Sequence, residues 1–177
     1  MKPFAPSPSL SILLILLAWG NIAPSSEGSV TLADARHEVV FIDTGVADWR
    51  ILANGVRPGV EVVLLDANGD GLAQMAAWVQ KHSGYNAIHI VSHSNQGAIE
   101  LGSLTLDLAA TMERSADLAS LGSSLTADGD LLIYGCQVAD GAAGALISAL
   151  ADATGADVAA SLDATGGSVV EIGRAHI

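Results

Sequence analysis

The chain has 177 residues, a length that fits one domain, and sets 7 basic against 19 acidic residues for a formal net charge of −12. Nucleic acid and anionic membrane faces are gripped by Lys and Arg, so this balance argues against either partner. Half the residues are hydrophobic but only 4% are aromatic, and Cys136 is the one cysteine; a disulfide-stapled scaffold is excluded, leaving a core of Ala, Val, Ile and Leu.

The first residues, MKPFAPSPS, carry Lys2 and precede an apolar run from Leu10 to Trp19. That run falls well short of the ~20 residues that span a bilayer as a helix. A short apolar run behind a positive start and before small residues reads as a secretory signal peptide over 1–23, cleaved after Gly20 or Ala23. The mature protein is then expected outside the cell or at its surface, with no membrane span. Residues 24–38 (PSSEGSVTLADARHE) are small and polar and read as a linker.

From Val39 onward β-branched runs alternate with helical patterns. VVFID (39–43) predicts a first strand, and a helix follows over 47–54. EVVLLD (61–66) predicts a second strand. Gly71 to His82 reads as an amphipathic helix with Leu72, Met75, Ala76 and Val79 on one face. AIHIVS (87–92) is a third strand, GAIELG (97–102) a small hairpin arm, and a helix lies within 106–121. DLLIYG (130–135) is a fourth strand, Ala142–Ala153 a helix, and ADVAAS (156–161) a fifth strand. Apolar strands alternating with helices predict a mainly parallel sheet covered on both faces, a three-layer α/β/α sandwich of Rossmann-like build spanning 39–167. Residues 168–177 are left as a tail or the start of a further segment.

Open α/β sheets place their sites at the carboxyl ends of the strands. Asp43, Thr44 and Gly45 leave the first strand there and Asp66 the second. Ser92, His93 and Ser94 leave the third, Gly135, Cys136 and Gln137 the fourth, and Ser161 and Asp163 the fifth. With the third and fourth strands adjacent, His93 and Cys136 share one edge. A thiol needs a base or an electropositive setting to become thiolate, and an imidazole on the next strand supplies one. The helix beginning near Ala142 turns its positive end to the same edge.

Other chemistries lack their residues. Asp66, Asn68, Asp70 and Gly71 copy the first half of an EF-hand loop, but its twelfth position is Ala77 rather than Glu, so the segment reads as a strand-to-helix turn. There is no Gly-x-Ser-x-Gly elbow, P-loop or Gly-x-Gly-x-x-Gly. His37, His82, His89, His93 and His176 show no metal-ligand spacing, and His89 falls inside a strand as a packed residue. Neither a metal nor a cofactor is expected. A receiver-like phosphoacceptor domain would need a Lys at a late strand end, and none stands there.

The blocks VVFIDTGV, EVVLLDANGDGLAQMA, AIHIVSHSNQGAIELG, DLLIYGCQVADGAAG and TGADVAASLDATGG together resemble the family of domains of unknown function numbered 4347. By that resemblance the domain belongs near the N-termini of very large bacterial surface and adhesin-like proteins. The family in turn looks like the caspase and gingipain clan of cysteine peptidases. The resemblance implies a caspase-like sheet in which His93 matches the histidine of the dyad and Cys136 the nucleophile. It implies an oxyanion hole made by the backbone N–H groups of Cys136 and Ser94, beside Gly135 and Gln137. The clan's glycine after the histidine is Ser94 here, a departure that touches that oxyanion hole.

The leading expectation is an exported cysteine peptidase domain whose substrate is a peptide or protein, its own chain or a surface protein included. Asp43 or Asp163 is expected to orient the imidazole or read a substrate side chain. The alternative is a non-catalytic module for adhesion or assembly on the same fold.

Overall fold

The computed structural model describes residues 36–95, 97–135 and 143–160. The chain divides between Ala33 and Asp34, and every described residue lies in the second unit. The signal peptide expected at 1–23, most of the linker expected at 24–38 and the expected tail at 168–177 lie outside the described residues. In chain order the elements are β1 (Glu38–Asp43), α1 (Trp49–Asn54), β2 (Val60–Leu65), α2 (Gly71–Val79) and β3 (Tyr85–Val91). A three-stranded arm follows, β4 (His93–Asn95), β5 (Ala98–Leu101) and β6 (Leu104–Leu106). Then come α3 (Leu108–Glu113), α4 (Ser115–Ser124), β7 (Leu125–Tyr134), α5 (Ala143–Thr154) and β8 (Asp157–Ala160).

Five strands form one parallel sheet in the order β2-β1-β3-β7-β8. β1 is buried along its whole length, which is why it reads as an unbroken apolar run rather than an alternating one. Its odd residues Val39 and Phe41 join Ile88, Ile90, Leu131 and Ile133 on the face that receives Leu72 and Met75 of α2, Leu118 and Leu121 of α4, and Leu146 and Leu150 of α5. Each such side chain contributes about 1.5–3 kcal/mol by leaving water. Val40, Ile42 and Val91 point the other way, beneath Trp49, Leu52 and Ala53 of α1.

The sheet is therefore flanked by helices on both faces, as expected, but unequally. Among the described residues the second face meets only the six-residue α1, and Val62 and Leu64 of the edge strand β2 remain 41% and 44% exposed. The helix expected within 106–121 is two helices, broken at Arg114 (φ −102°, ψ 21°). Its guanidinium bonds Asp70 at 2.6 Å and Asp117 at 2.9 Å, tying the junction to the start of α2. β7 starts at Leu125, five residues before the expected Asp130, and a register shift between Tyr85 and Ala87 takes up the added length.

At the amino end of the sheet, Tyr85 is fully buried and donates its phenol proton to Glu61 at 2.8 Å, while Trp78 Nε1–H donates to the phenol oxygen at 3.1 Å. Burial, reinforced by the Glu61 carboxylate, pushes Tyr85 up to about 12, and burial with the Glu38 charge raises Tyr134, the chain's other tyrosine. A phenol raised above its unfolded value of about 10 stabilises the fold below pH 10 and loses that contribution as pH rises through 12. Absorbance titration of the folded protein should thus show less than one equivalent of tyrosinate at pH 10, with Tyr85 ionising only as the pH approaches 12. One equivalent titrating at pH 10 with the fold intact would contradict this packing.

Candidate functional site

The carboxyl edge of the sheet is set by one row of paired residues. Ile42 of β1 pairs with Val91 of β3, which pairs with Tyr134 of β7. Beyond that row the strands exit together through Asp43, Ser92 and Gly135. The Ser92 N–H donates to the Tyr134 carbonyl at 3.1 Å, so the pairing of β3 with β7 continues one residue past the strands. Thr44 staples the neighbouring exits, its hydroxyl donating to the Leu65 carbonyl at 2.7 Å and accepting the Ala67 N–H at 3.1 Å.

A buried polar chain fixes the same strands from the α1 side. His89 is 1% exposed, with Nδ1 3.2 Å from the Tyr134 hydroxyl and Nε2 3.3 Å from Glu38 Oε2. Arg36 and Arg57 hold Glu38 at 2.9 and 3.0 Å, so its carboxylate accepts a proton bond from Nε2–H and leaves Nδ1 to accept from Tyr134. Burial holds His89 below the ordinary histidine range against the pull of Glu38, in keeping with a neutral ring. The packed role expected for His89 is the one observed.

Only Ser92 separates β3 from the arm. Asn95 pairs with Ala98, Ser94 with Ile99 and His93 with Glu100; on the next strand Ile99 pairs with Leu106 and Glu100 with Thr105. Opposed residues share a face of a ladder. The inner face thus carries buried Ser94, Ile99 and Leu106, and the outer face carries His93, Glu100 and Thr105. The hydroxyl of Thr105 donates to Glu100 Oε2 at 2.8 Å. Ser94, which stands where the resembled clan has glycine, lies on the face opposite the exposed His93.

The far turn of the arm is clamped onto the edge by Asp43, a carboxylate only 4% exposed. One oxygen accepts the Gly45 N–H at 2.7 Å and the other the Gly102 N–H at 2.6 Å. Ser103 N–H donates to the Gly69 carbonyl at 2.9 Å. Gly102 has φ +60°, and a β-carbon there would meet the carbonyl oxygens of Gly69 and Asp66. The Asp66–Gly71 segment is the expected strand-to-helix turn: Asp66 accepts the Asn68 N–H, and Asp70 caps α2 through the Ala73 N–H at 2.9 Å. Burial opposes the charge on Asp70, but the Arg114 and Ala73 bonds outweigh it and hold the carboxyl below its usual range.

Of the residues singled out from sequence, His93, Ser94, Asp43 and Gly135 fall on this one edge. Asp43 directs its oxygens to the backbone amides of Gly45 and Gly102. Cys136, Gln137 and Asp163 lie outside the described residues. Among the described residues no group of three His, Cys, Asp or Glu side chains is placed to hold a metal ion. No described helix is long and apolar enough to cross a membrane. Two residues separate Asn95 from Ala98, and with Gly97 at φ +88° the register of the arm pairs His93 with Glu100.

The sequence profile of the family described as Domain of unknown function (DUF4347) matches residues 39–171. The chain belongs to this family. The DUF4347 match begins at the residue where the domain was expected to start and runs four residues past its expected end at 167. No curated protein and no solved structure matches the chain.

The Asp43 clamp makes Gly102 the residue on which the arm depends. A non-glycine residue at positive φ costs about 1–3 kcal/mol before any clash is added. Gly102→Ala should therefore lower the melting temperature by about 5–15 °C. Gly144→Ala, in α5 with open space around it, should leave stability unchanged or raise it by about 0.5–1 kcal/mol. Differential scanning calorimetry of both variants checks this; a Gly102→Ala protein as stable as the parent would contradict the clamp.

Proposed function

We propose that this DUF4347 domain is an exported, caspase-like cysteine peptidase domain of a bacterial surface protein, acting on a peptide bond of its own chain or of a neighbouring surface protein. The observation that carries the reading is the register of two adjacent parallel strands. Val91 and Tyr134 are partners, and in sequence His93 and Cys136 stand two residues beyond them, one on each chain segment leaving the edge.

In this reading the Cys136 thiolate attacks the peptide carbonyl carbon, and the developing oxyanion is met by backbone N–H groups of Cys136 and Ser94. The C–N bond breaks as the His93 imidazolium gives its proton to the leaving amine. Water, deprotonated by the same imidazole, then hydrolyses the thioester and frees the thiol. Ser94 carries its side chain on the inner face of the arm, opposite the exposed His93. Export rests on the leader at 1–23. A surface module without catalysis is the second reading, favoured by the serine in place of the clan's glycine.

Two measurements test this. Iodoacetamide should alkylate Cys136 at pH 6–7 faster than a free cysteine of pKa about 8.5, and His93→Ala should slow it. A thiol that resists alkylation until the protein unfolds, with a rate indifferent to His93→Ala, would end the peptidase reading and leave the surface module. Mass spectrometry of exported protein should find a mature N-terminus between Asn21 and Ser26; intact Met1 on protein outside the cell would refute the leader.

A further inference from the structure

We propose that His89 is an acid-sensitive latch: a proton taken up on its ring reverses the bond to Tyr134 and unfastens the end of β7 from β3. The inference does not draw on the peptidase reading, and either can fail without the other. It follows first from a count of donors. His89 is 1% exposed and sits between two partners, the Tyr134 hydroxyl 3.2 Å from Nδ1 and Glu38 Oε2 3.3 Å from Nε2. With Nε2–H given to Glu38, Nδ1 keeps a lone pair and the phenol donates to it. A second ring proton makes Nδ1 a donor as well, so the phenol must turn its own proton elsewhere. Tyr134 is the last residue of β7, paired with Val91, and its carbonyl accepts the Ser92 N–H at 3.1 Å. The side-chain tie and the final ladder bond thus belong to one residue.

A count of charges points the same way. Glu38, 2% exposed, already meets Arg36 at 2.9 Å and Arg57 at 3.0 Å, and Arg36 reaches Asp130 of β7 at 3.9 Å. Two carboxylates balance two guanidiniums, and a proton on His89 adds a third cation to a set that is already neutral. The helix on this face, α1, turns Trp49, Leu52 and Ala53 inward, and β2 adds Val60 while its Glu61 bonds Tyr85 and His37. Asp48 and Arg50 at the start of α1, with Asp128 of β7 and Asp157 of β8, are exposed, so water and salt screen them. Burial opposes the ring's proton and, with the two guanidiniums, outweighs the pull of Glu38, which holds His89 below the ordinary histidine range. An unfolded histidine takes its proton at about 6.5 and the folded one only at lower pH. The contribution of the latch is therefore complete above about pH 6.5 and is lost as the pH falls through the window beneath it.

The test is NMR of the full chain from about pH 7.5 to about pH 4.5, following the His89 ring and the exchange protection of backbone amides. The ring should titrate below 6.5, and in that window protection of the Ser92 amide should fall by up to about tenfold per pH unit. The buried Leu121 amide of α4 should keep its protection over the same range. Arg57→Gln removes one guanidinium yet leaves an amide to bond Glu38, and it should raise the midpoint of the ring. His89→Gln should make Ser92 protection independent of pH; if that variant does not fold, the parent and Arg57→Gln decide the matter alone. A ring that titrates at an ordinary 6.5 would overturn the latch, as would a ring that stays neutral until the whole protein unfolds. Ser92 protection that survives protonation of the ring, or that His89→Gln loses just as the parent does, would overturn it equally.

Discussion

The parallel pairing of β3 with β7 is the constraint on which the candidate site depends. Its register runs without interruption from Ala87↔Asp130 to Val91↔Tyr134 and is carried one residue further by Ser92 N–H on the Tyr134 carbonyl. Because side chains alternate with period two, a slip of one residue would drive Ile88 and Ile90 out of the core they share with Leu131 and Ile133. The apolar interior therefore fixes the register, and the register fixes which residues emerge together at the edge. The Glu38–His89–Tyr134 chain adds a directional tie between the same strands, at the cost of burying a carboxylate that Arg36 and Arg57 must neutralise.

The arm is the second half of the arrangement. Its strands have only three or four residues each and bury little area of their own. It is held by its inner face, where Ile99, Leu101 and Leu106 join the main core, and by the Asp43 carboxylate at its far turn. A buried carboxylate that accepts two backbone N–H groups is satisfied where it stands, and removing it would strand both donors at about 1–3 kcal/mol each. The acid at the first strand end is thereby structural, holding the turn of the arm to the sheet edge.

The sequence carried the long strands plainly, because VVFID, AIHIVS and DLLIYG are β-branched and apolar on both faces, a pattern that parallel sheets require. The adjacency of the third and fourth predicted strands, β3 and β7, followed from the helical crossover that joins them. What it carried poorly were elements shorter than any periodicity. Three-residue strands such as HSN and LTL have no window in which alternation can be counted, so a three-stranded arm reads as a single hairpin. The helix break at Arg114 has no Gly or Pro to mark it, and depends on Asp70, 44 residues away in the chain, as a partner for the guanidinium. The uneven cover of the two sheet faces was equally hidden, since Val62 and Leu64 look like core residues until the edge position of β2 is known.

The account turns on whether the two edges converge in space as they do in register. The direct measurement is a crystal structure of the full chain after reaction with a peptidyl acyloxymethyl ketone. A thioether to the Cys136 Sγ, with the His93 ring within hydrogen-bonding reach of the former leaving-group position, is the predicted result. Labelling that fails, or a Cys136 side chain packed into the interior with the His93 ring turned away from it, would contradict the account.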